Sequence, residues 1–306
     1  MGERKARMSR RFLSIGECMV EMASTGGDTF RQGFAGDSFN TAWYARRALP
    51  SDWQVDYYTT LGDDAVSGRM LRFMQDQGIG IGHIHRLAGR APGLYMIELE
   101  NGERSFTYWR DTSAARSLAD DAGALFAALA QADAIYVSGI TLAILAPDRR
   151  RTLLDGLGRA KAAGKMVGFD SNIRMRLWPN PHDLRAAIKD AARVATISLP
   201  TIPDESELFG ETSAEEVLSR YNEYGCNEVV VRAGGGPAHV VWGGKVVAVA
   251  PNEVVAPVDT TGAGDSFNGT YLAARLTGES PEAAARMAHA VAGKVIRHYG
   301  ALVDPS

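Results

Sequence analysis

The 306-residue chain holds two cysteines, Cys18 and Cys226, and they form no CxxC pair. Two free thiols in a reducing compartment is the favoured reading, with a lone disulfide or a nucleophile as the alternatives. Charge of one sign is equally scarce. With 33 Lys and Arg against 36 Asp and Glu, the net charge is −3. No general attraction to nucleic acid or to an anionic membrane is expected, so an anionic ligand needs a local basic patch. No apolar run approaches the length of a transmembrane helix. "SRRFL" near the start looks like part of a twin-arginine export signal, but Glu17 and Glu21 interrupt the residues after it, so no apolar core of a leader exists. The first ten residues read as a solvated tail, and the chain as cytoplasmic. The common nucleotide motifs are missing too. "GRAKAAGKM" has the wrong spacing for a P-loop and Met166 where Ser or Thr belongs, and "GIGIG" at 78–82 is not GxGxxG.

What is present is ordinary globular composition, 45% hydrophobic and 23% charged. Apolar, β-branched runs alternate with helical patterns. "RFLSIGECMVEM" reads as a strand, "GDSFNTAWYARRAL" as a helix, "VDYYTTLG" as a strand and "AVSGRMLRFMQDQG" as a helix ending at Gly78. "GLYMIEL" and "RSFTYW" flank a hairpin turn built on Asn101-Gly102. From "AIYVSG" onward, strands and helices alternate regularly, through a hairpin at "AHVVWGGKVVAVA", to two closing helices near 263–277 and 281–298. Such repetition predicts a three-layer α/β/α fold around a mostly parallel sheet. Two stretches, about 17–35 and 92–110, break the alternation. They predict a small β-sheet lid inserted in a single domain spanning 1–306.

The stretch "APVDTTGAGDSFNGT", residues 256–270, leads from a strand through small residues into an amphipathic helix. The first amides of a helix lack internal partners and carry partial positive charge. Glycine lets a phosphate approach such a backbone closely. The amides of Gly262, Ala263 and Gly264 therefore form a candidate anion hole. Asp265 is the candidate base for a hydroxyl that attacks phosphorus. The alternative is an aspartate serving the helix terminus by charge alone.

Other polar clusters fit a ligand. "GFAGDSFNTA" places Gly36, Asp37 and Asn40 at a helix start, as sugar-hydroxyl ligands or as an ordinary cap. "FTYWRD" puts Tyr108 and Arg110 on one strand face, and Tyr95 extends that wall; a solvated face is the alternative. "FDSNIRMRLW" ends a parallel strand in Asp170, Asn172, Arg174 and Arg176, where open α/β sheets bind ligands. Arg174 suits a carboxylate or a phosphate. "VVVRAGGGPAHVVW" sets three glycines after a strand, for a nucleotide or for a tight hairpin. His83 and His85 lack the neighbouring ligands a metal pair needs.

"DTTGAGDSF" and "FAGDSFN" resemble the two signatures of the ribokinase-like, or PfkB, carbohydrate kinases, and the resemblance runs from "SIGECMVEM" to "HYGA". "APGLYMIE", "GERSFTYWR", "SGITLAIL" and "FDSNIRMRLW" are similar to the branch of that family acting on 2-keto-3-deoxygluconate. The resemblance implies ATP-dependent phosphorylation of that sugar acid at its 6-hydroxyl, feeding the Entner–Doudoroff route. It implies Asp265 as base, Gly262, Ala263 and Gly264 as anion hole, and Gly36, Asp37, Asn40, Tyr95, Tyr108, Arg110 and Arg174 around the substrate. Asn172, Arg174, Arg232, Gly234, Gly235, Gly236 and His289 would line the ATP side. Mg²⁺ would ride on the phosphates, with a monovalent cation such as K⁺ as a further candidate. A homo-oligomer through the lid sheet is also implied. The remaining alternatives are the galactonate epimer, fructose or ribose as substrate, or a non-catalytic sugar or nucleotide sensor. Two positions depart from the family pattern. Where Asn-x-x-Glu often stands near the metal waters, this chain has Thr201 and Asp204, so metal ligands stay unassigned. Gly269-Thr270 stands where a small pair is preferred, so Thr270 is expected to crowd the helix packing slightly.

Overall fold

A computed structural model describes residues 10–100 and 103–304. The Asn101-Gly102 turn and nearly all of the expected N-terminal tail lie outside the described residues. In chain order the strands are β1 (Arg10–Ile15), β2 (Met19–Gly26), β3 (Thr29–Ala35), β4 (Trp53–Gly62), β5 (Gly80–Leu87), β6 (Leu94–Glu100), β7 (Glu103–Trp109), β8 (Ala134–Ser138), β9 (Met166–Asp170), β10 (Ile197–Ser198), β11 (Glu228–Val231), β12 (Ala238–Trp242) and β13 (Lys245–Val249).

Nine of them form one sheet in the order β13-β12-β11-β10-β9-β8-β1-β4-β5. Pairing is parallel from β11 to β5, and β12 and β13 add an antiparallel edge. Both faces are covered, and the side-chain alternation of a strand assigns residues to them. Leu13 and Ile15 of β1 join the core under the helices Ala122–Gln131, Pro147–Ala162 and Pro181–Val194. Phe12, on the other face of the same strand, joins the opposite core under Asp37–Ala48, Ala263–Leu276 and Pro281–Val295. This is the predicted three-layer arrangement. The stretches 17–35 and 92–110 supply a second sheet, ordered β3-β2-β6-β7.

Three local expectations need correction. "RFLSIGECMVEM" is not one strand: Gly16-Glu17-Cys18 breaks it, and β1 and β2 belong to different sheets. A Cβ on Gly16 would fall 2.2 Å from the Ser38 hydroxyl, so the chain can turn there only without a side chain. The stretch after Gly78 continues as the edge strand β5, whose glycines hid the strand pattern. The short helices Gly139–Ile144 and Ile202–Phe209, and the alanine-rich helix Ala122–Gln131, add to the predicted set. His83 meets Arg11 Nη1 at 2.9 Å, and His85 sets its ring edge-on to Tyr58, so the two serve packing.

The helices Asp37–Ala48 and Ala263–Leu276 cross closely because Gly269 has no side chain. A Cβ there would lie 2.5 Å from the Thr41 carbonyl oxygen and 2.8 Å from Tyr44 Cβ. Thr270 is buried within the same helix at 4% exposure, so the crossing accommodates it and rests on its neighbour. Gly269→Ala is expected to destabilise by roughly 1–3 kcal/mol through overpacking, read as a lowered Tm. An unchanged Tm would mean the two helices separate freely.

Candidate active site

The parallel strands end on one edge, where open α/β sheets bind ligands. Gly139, Asp170, Leu199 and Arg232 follow or close the parallel strands there, and the small sheet, with Gly36 directly after β3, stands over the same edge. Between them lies a cavity of about 540 Å³. A second, of about 380 Å³, adjoins it, and Thr201, Arg232, Gly234, Thr260 and Gly264 line both.

The turn into the helix Ala263–Leu276 stands at this junction. Gly262 holds φ +76° as its N-cap, and a Cβ there would meet the Ala301 carbonyl oxygen at 2.6 Å. No side chain caps the helix. The Ala263 amide donates to the Thr260 carbonyl at 3.2 Å, so it is already engaged. The amides of Gly262, Gly264 and Asp265 have no partner among the described residues, so Ala263 alone of the predicted set is engaged and Asp265 adds a free donor. Asp259 braces the loop, accepting from Thr261 N and Oγ1 and from the Gly300 amide.

Three carboxylates crowd together, and an asparagine amide reaches each. Asn40 Nδ2 donates to Asp265 Oδ2 at 2.8 Å, Asn172 Nδ2 to Asp37 Oδ2 at 2.8 Å, and Asn268 Nδ2 to Asp170 Oδ2 at 2.6 Å. Arg232 Nη2 donates to Asp170 Oδ1 at 2.9 Å, and its Nη1 to the Gly264 carbonyl at 3.2 Å. Burial pushes the Asp265 carboxyl up to about 7, and the charge of Asp37 adds to the effect against the Asn40 hydrogen bond. Burial likewise raises Asp37.

Of the other predicted residues, Gly36, Tyr95, Tyr108, Arg110 and Arg174 all line the first cavity. Tyr95 and Tyr108 face each other across β6 and β7, ring centroids 5.8 Å apart. Arg110 is 7% exposed and its Nη2 pairs with Glu17, itself 2% exposed; Arg110 Nε and Glu17 Oε1 lack hydrogen-bond partners among the described residues. Arg174 lies 3.5 Å from Asp204. Gly235, Ala263 and His289 line the second cavity, together with Val254, Val255 and Phe267. His289 Nε2 contacts the Val249 carbonyl at 3.0 Å, and burial lowers its pKa, so the ring is neutral at pH 7. Gly236 lines neither cavity; its amide closes a turn onto the Ala233 carbonyl. Sequence reasoning passed over Glu17 and gave Asp170 and Arg176 a place at the ligand-binding strand end but no role. Asp170 and Arg176 stand in the quoted strand-end motif, but nothing local marks Glu17, whose partner is 93 residues away.

One cavity with cations, tyrosines and short polar side chains therefore meets an apolar one at an uncapped helix terminus beside a carboxyl poised near neutrality. Residues 9–305 match the family described as pfkB family carbohydrate kinase. The chain belongs to that family. It is 40% identical over 305 residues to the 2-dehydro-3-deoxygluconokinase of Escherichia coli strain K12, covering 97% of this chain and 98% of that one. It is 42% identical over 298 residues to the same-named enzyme of Dickeya dadantii, covering 94% and 95%. A crystal structure of a PfkB protein from Polaromonas sp. JS666 superposes with a TM-score of 0.84 at 26% identity, covering 94% of this chain and 96% of that one. The fold is thus ribokinase-like, and the chain is a carbohydrate kinase.

The raised Asp265 pKa has a stability consequence. The folded value, about 7, lies above the ordinary 3.8, so the folded state resists an ionisation that the unfolded chain undergoes freely. The penalty is absent below pH 3.8, grows with pH, and is complete above about 7. Asp265→Asn removes it and is expected to raise Tm by roughly 2–4 °C per kcal/mol relieved, more at pH 8 than at pH 5. A gain independent of pH would refute this assignment. Arg110→Ala leaves Glu17 buried without its cation, so it is expected to destabilise by roughly 3–5 kcal/mol. Denaturant unfolding with an unchanged midpoint would show that the pair contributes nothing.

Proposed function

We propose that the chain transfers the γ-phosphoryl group of ATP to the 6-hydroxyl of 2-keto-3-deoxygluconate, giving 2-keto-3-deoxy-6-phosphogluconate. The observation that carries the reading is the junction itself: Asp265 and the turn Gly262–Gly264 stand where a cation-lined cavity of sugar size meets an apolar one. The names of the relatives, which span nearly the whole chain, supply the substrate.

In this reading the sugar acid lies in the first cavity, with Asp37 and Asn40 at its hydroxyls, Tyr95 and Tyr108 along its carbons, and cations near its carboxylate. Asp265 accepts the proton of the 6-hydroxyl as the oxygen attacks phosphorus. A base with a pKa near the working pH combines availability with driving force. The amides of Gly264 and Asp265 and the helix terminus face the charge that spreads over the transferring oxygens. Arg232 holds Gly264 in place. The adenine and ribose lie between Val254, Val255, Phe267 and His289, and Gly234 and Gly235 let them rest on backbone.

Mg²⁺ belongs to the proposal because phosphoryl transfer from ATP uses it to neutralise phosphate charge. No group of three His, Cys, Asp or Glu among the described residues could cage a metal. The ion would be carried on the phosphates and water, with Asp170 and Asp204 as carboxylates lining the same cavity. A cytoplasmic setting agrees with Cys18 and Cys226, both buried and unpaired. An oligomer through the small sheet is supported by Phe106 and Trp109 of β7, 39% and 54% exposed.

A coupled ATP-consumption assay with Mg²⁺ tests the reading over 2-keto-3-deoxygluconate, its galactonate epimer, fructose and ribose. Turnover is expected with the keto-deoxy acids. The kcat/KM should fall about tenfold per pH unit below about 7 as Asp265 takes up a proton. Asp265→Asn should abolish turnover while ATP still binds. Preference for a neutral sugar would overturn the substrate, and near wild-type kcat in the variant would overturn the base.

A further inference from the structure

Four arginines line the first cavity, and three of them are committed to carboxylates. Arg110 pairs with Glu17, Arg174 with Asp204 and Arg232 with Asp170. Arg176 is the exception. It lies in the short turn Met175–Leu177 that comes after the end of β9, and it has no ion pair or hydrogen bond among the described residues. Its guanidinium sits over the Tyr108 ring, 4.1 Å from the centroid. A contact with a ring through its central carbon takes none of the guanidinium N–H donors, and these can take a carboxylate on two donors. Tyr108 belongs to the small sheet and is itself stacked on Tyr95. A residue of the main body is thereby held against the lid with its donors uncommitted and its charge unneutralised.

We infer that Arg176 is a specificity-determining residue: it supplies a cation for the substrate's carboxylate and joins the lid to the body around an acidic, and not a neutral, sugar. This rests on the sugar-acid reading above. The committed arginines can still touch the ligand, but each already balances a protein carboxylate. A neutral sugar would leave Arg176 unpaired, and an acid completes it. The Tyr108 contact fixes the long side chain beforehand, so less rotamer freedom is lost on binding.

The test compares wild type, Arg176→Gln and Arg176→Lys on 2-keto-3-deoxygluconate and on its methyl ester, which keeps every hydroxyl and loses the charge. Calorimetry of acid binding without ATP accompanies the kinetics. Arg176→Gln should lower kcat/KM for the acid by about tenfold or more, lower it much less for the ester, and weaken calorimetric binding of the acid in proportion. Arg176→Lys should recover part of the acid preference, since it keeps charge and loses the planar fork. Equal losses on acid and ester, or no loss on either, would overturn the assignment of Arg176 alone. Wild-type protein that neither binds nor phosphorylates the acid would overturn the sugar-acid reading, and this inference with it.

Discussion

The ion pair between Arg232 and Asp170 is the contact on which the rest of the site depends. Arg232 directly follows β11 and Asp170 closes β9, so the pair spans β10 at the C-terminal edge of the sheet. Both residues are nearly inaccessible, at 7% and 3% exposure. Two charges in such a place cost free energy unless their remaining donors and acceptors are filled. They largely are. Asp170 takes Arg232 and the Asn172 amide on one oxygen and Asn268 on the other, while Arg232 also donates to the carbonyls of Leu199 and Gly264. The same guanidinium therefore fixes a strand end and the first turn of the helix that carries Asp265. Losing it would loosen both cavities at their shared wall.

The arrangement also explains why Asp265 is a usable base. A solvated aspartate is ionised at neutral pH but is a weak proton acceptor. Burial away from water does most to raise Asp265, and the neighbouring charge of Asp37 adds to it against the neutral Asn40 amide that holds the carboxylate. The instability of its ionised form in the empty fold is what makes it accept a proton when a hydroxyl approaches. Stability is traded for function at one position.

Much of this could be read from the chain beforehand, and the gaps have physical causes. The layered fold was legible because β-branched runs and 3.6-residue patterns are local, and the turn 262–265 because small residues ahead of an amphipathic helix leave its first amides open beside a carboxylate. The break after Ile15 was not, because "CMVEM" carries strand signal on both sides of a glycine whose necessity comes from Ser38, a distant residue. The bonding of the Ala263 amide depends on the conformation of the Thr260 turn, which no spacing encodes. Glu17 looked like a mere interruption of an apolar run. Its meaning comes from Arg110, brought beside it when the small sheet forms.

Asn172 shows how far the central pair reaches. It is the one described non-glycine residue with positive φ, at +32°. Asparagine tolerates that region better than most residues, yet it still costs free energy and persists only where surroundings over-determine it. Here they do so from two sides. The Asn172 amide donates to Asp170 Oδ1 at 3.1 Å, and its side chain donates to Asp37 Oδ2. The strained residue thus ties the strand end bearing Asp170 to the helix start bearing Asp37 just ahead of the turn in which Arg174 meets Asp204 and Arg176 meets Tyr108 of the small sheet. Because Asp170 is held by Arg232, the orientation of those two arginines is inherited from the buried pair. The anion-seeking end of the cavity and its proton-accepting end are set by the same interaction.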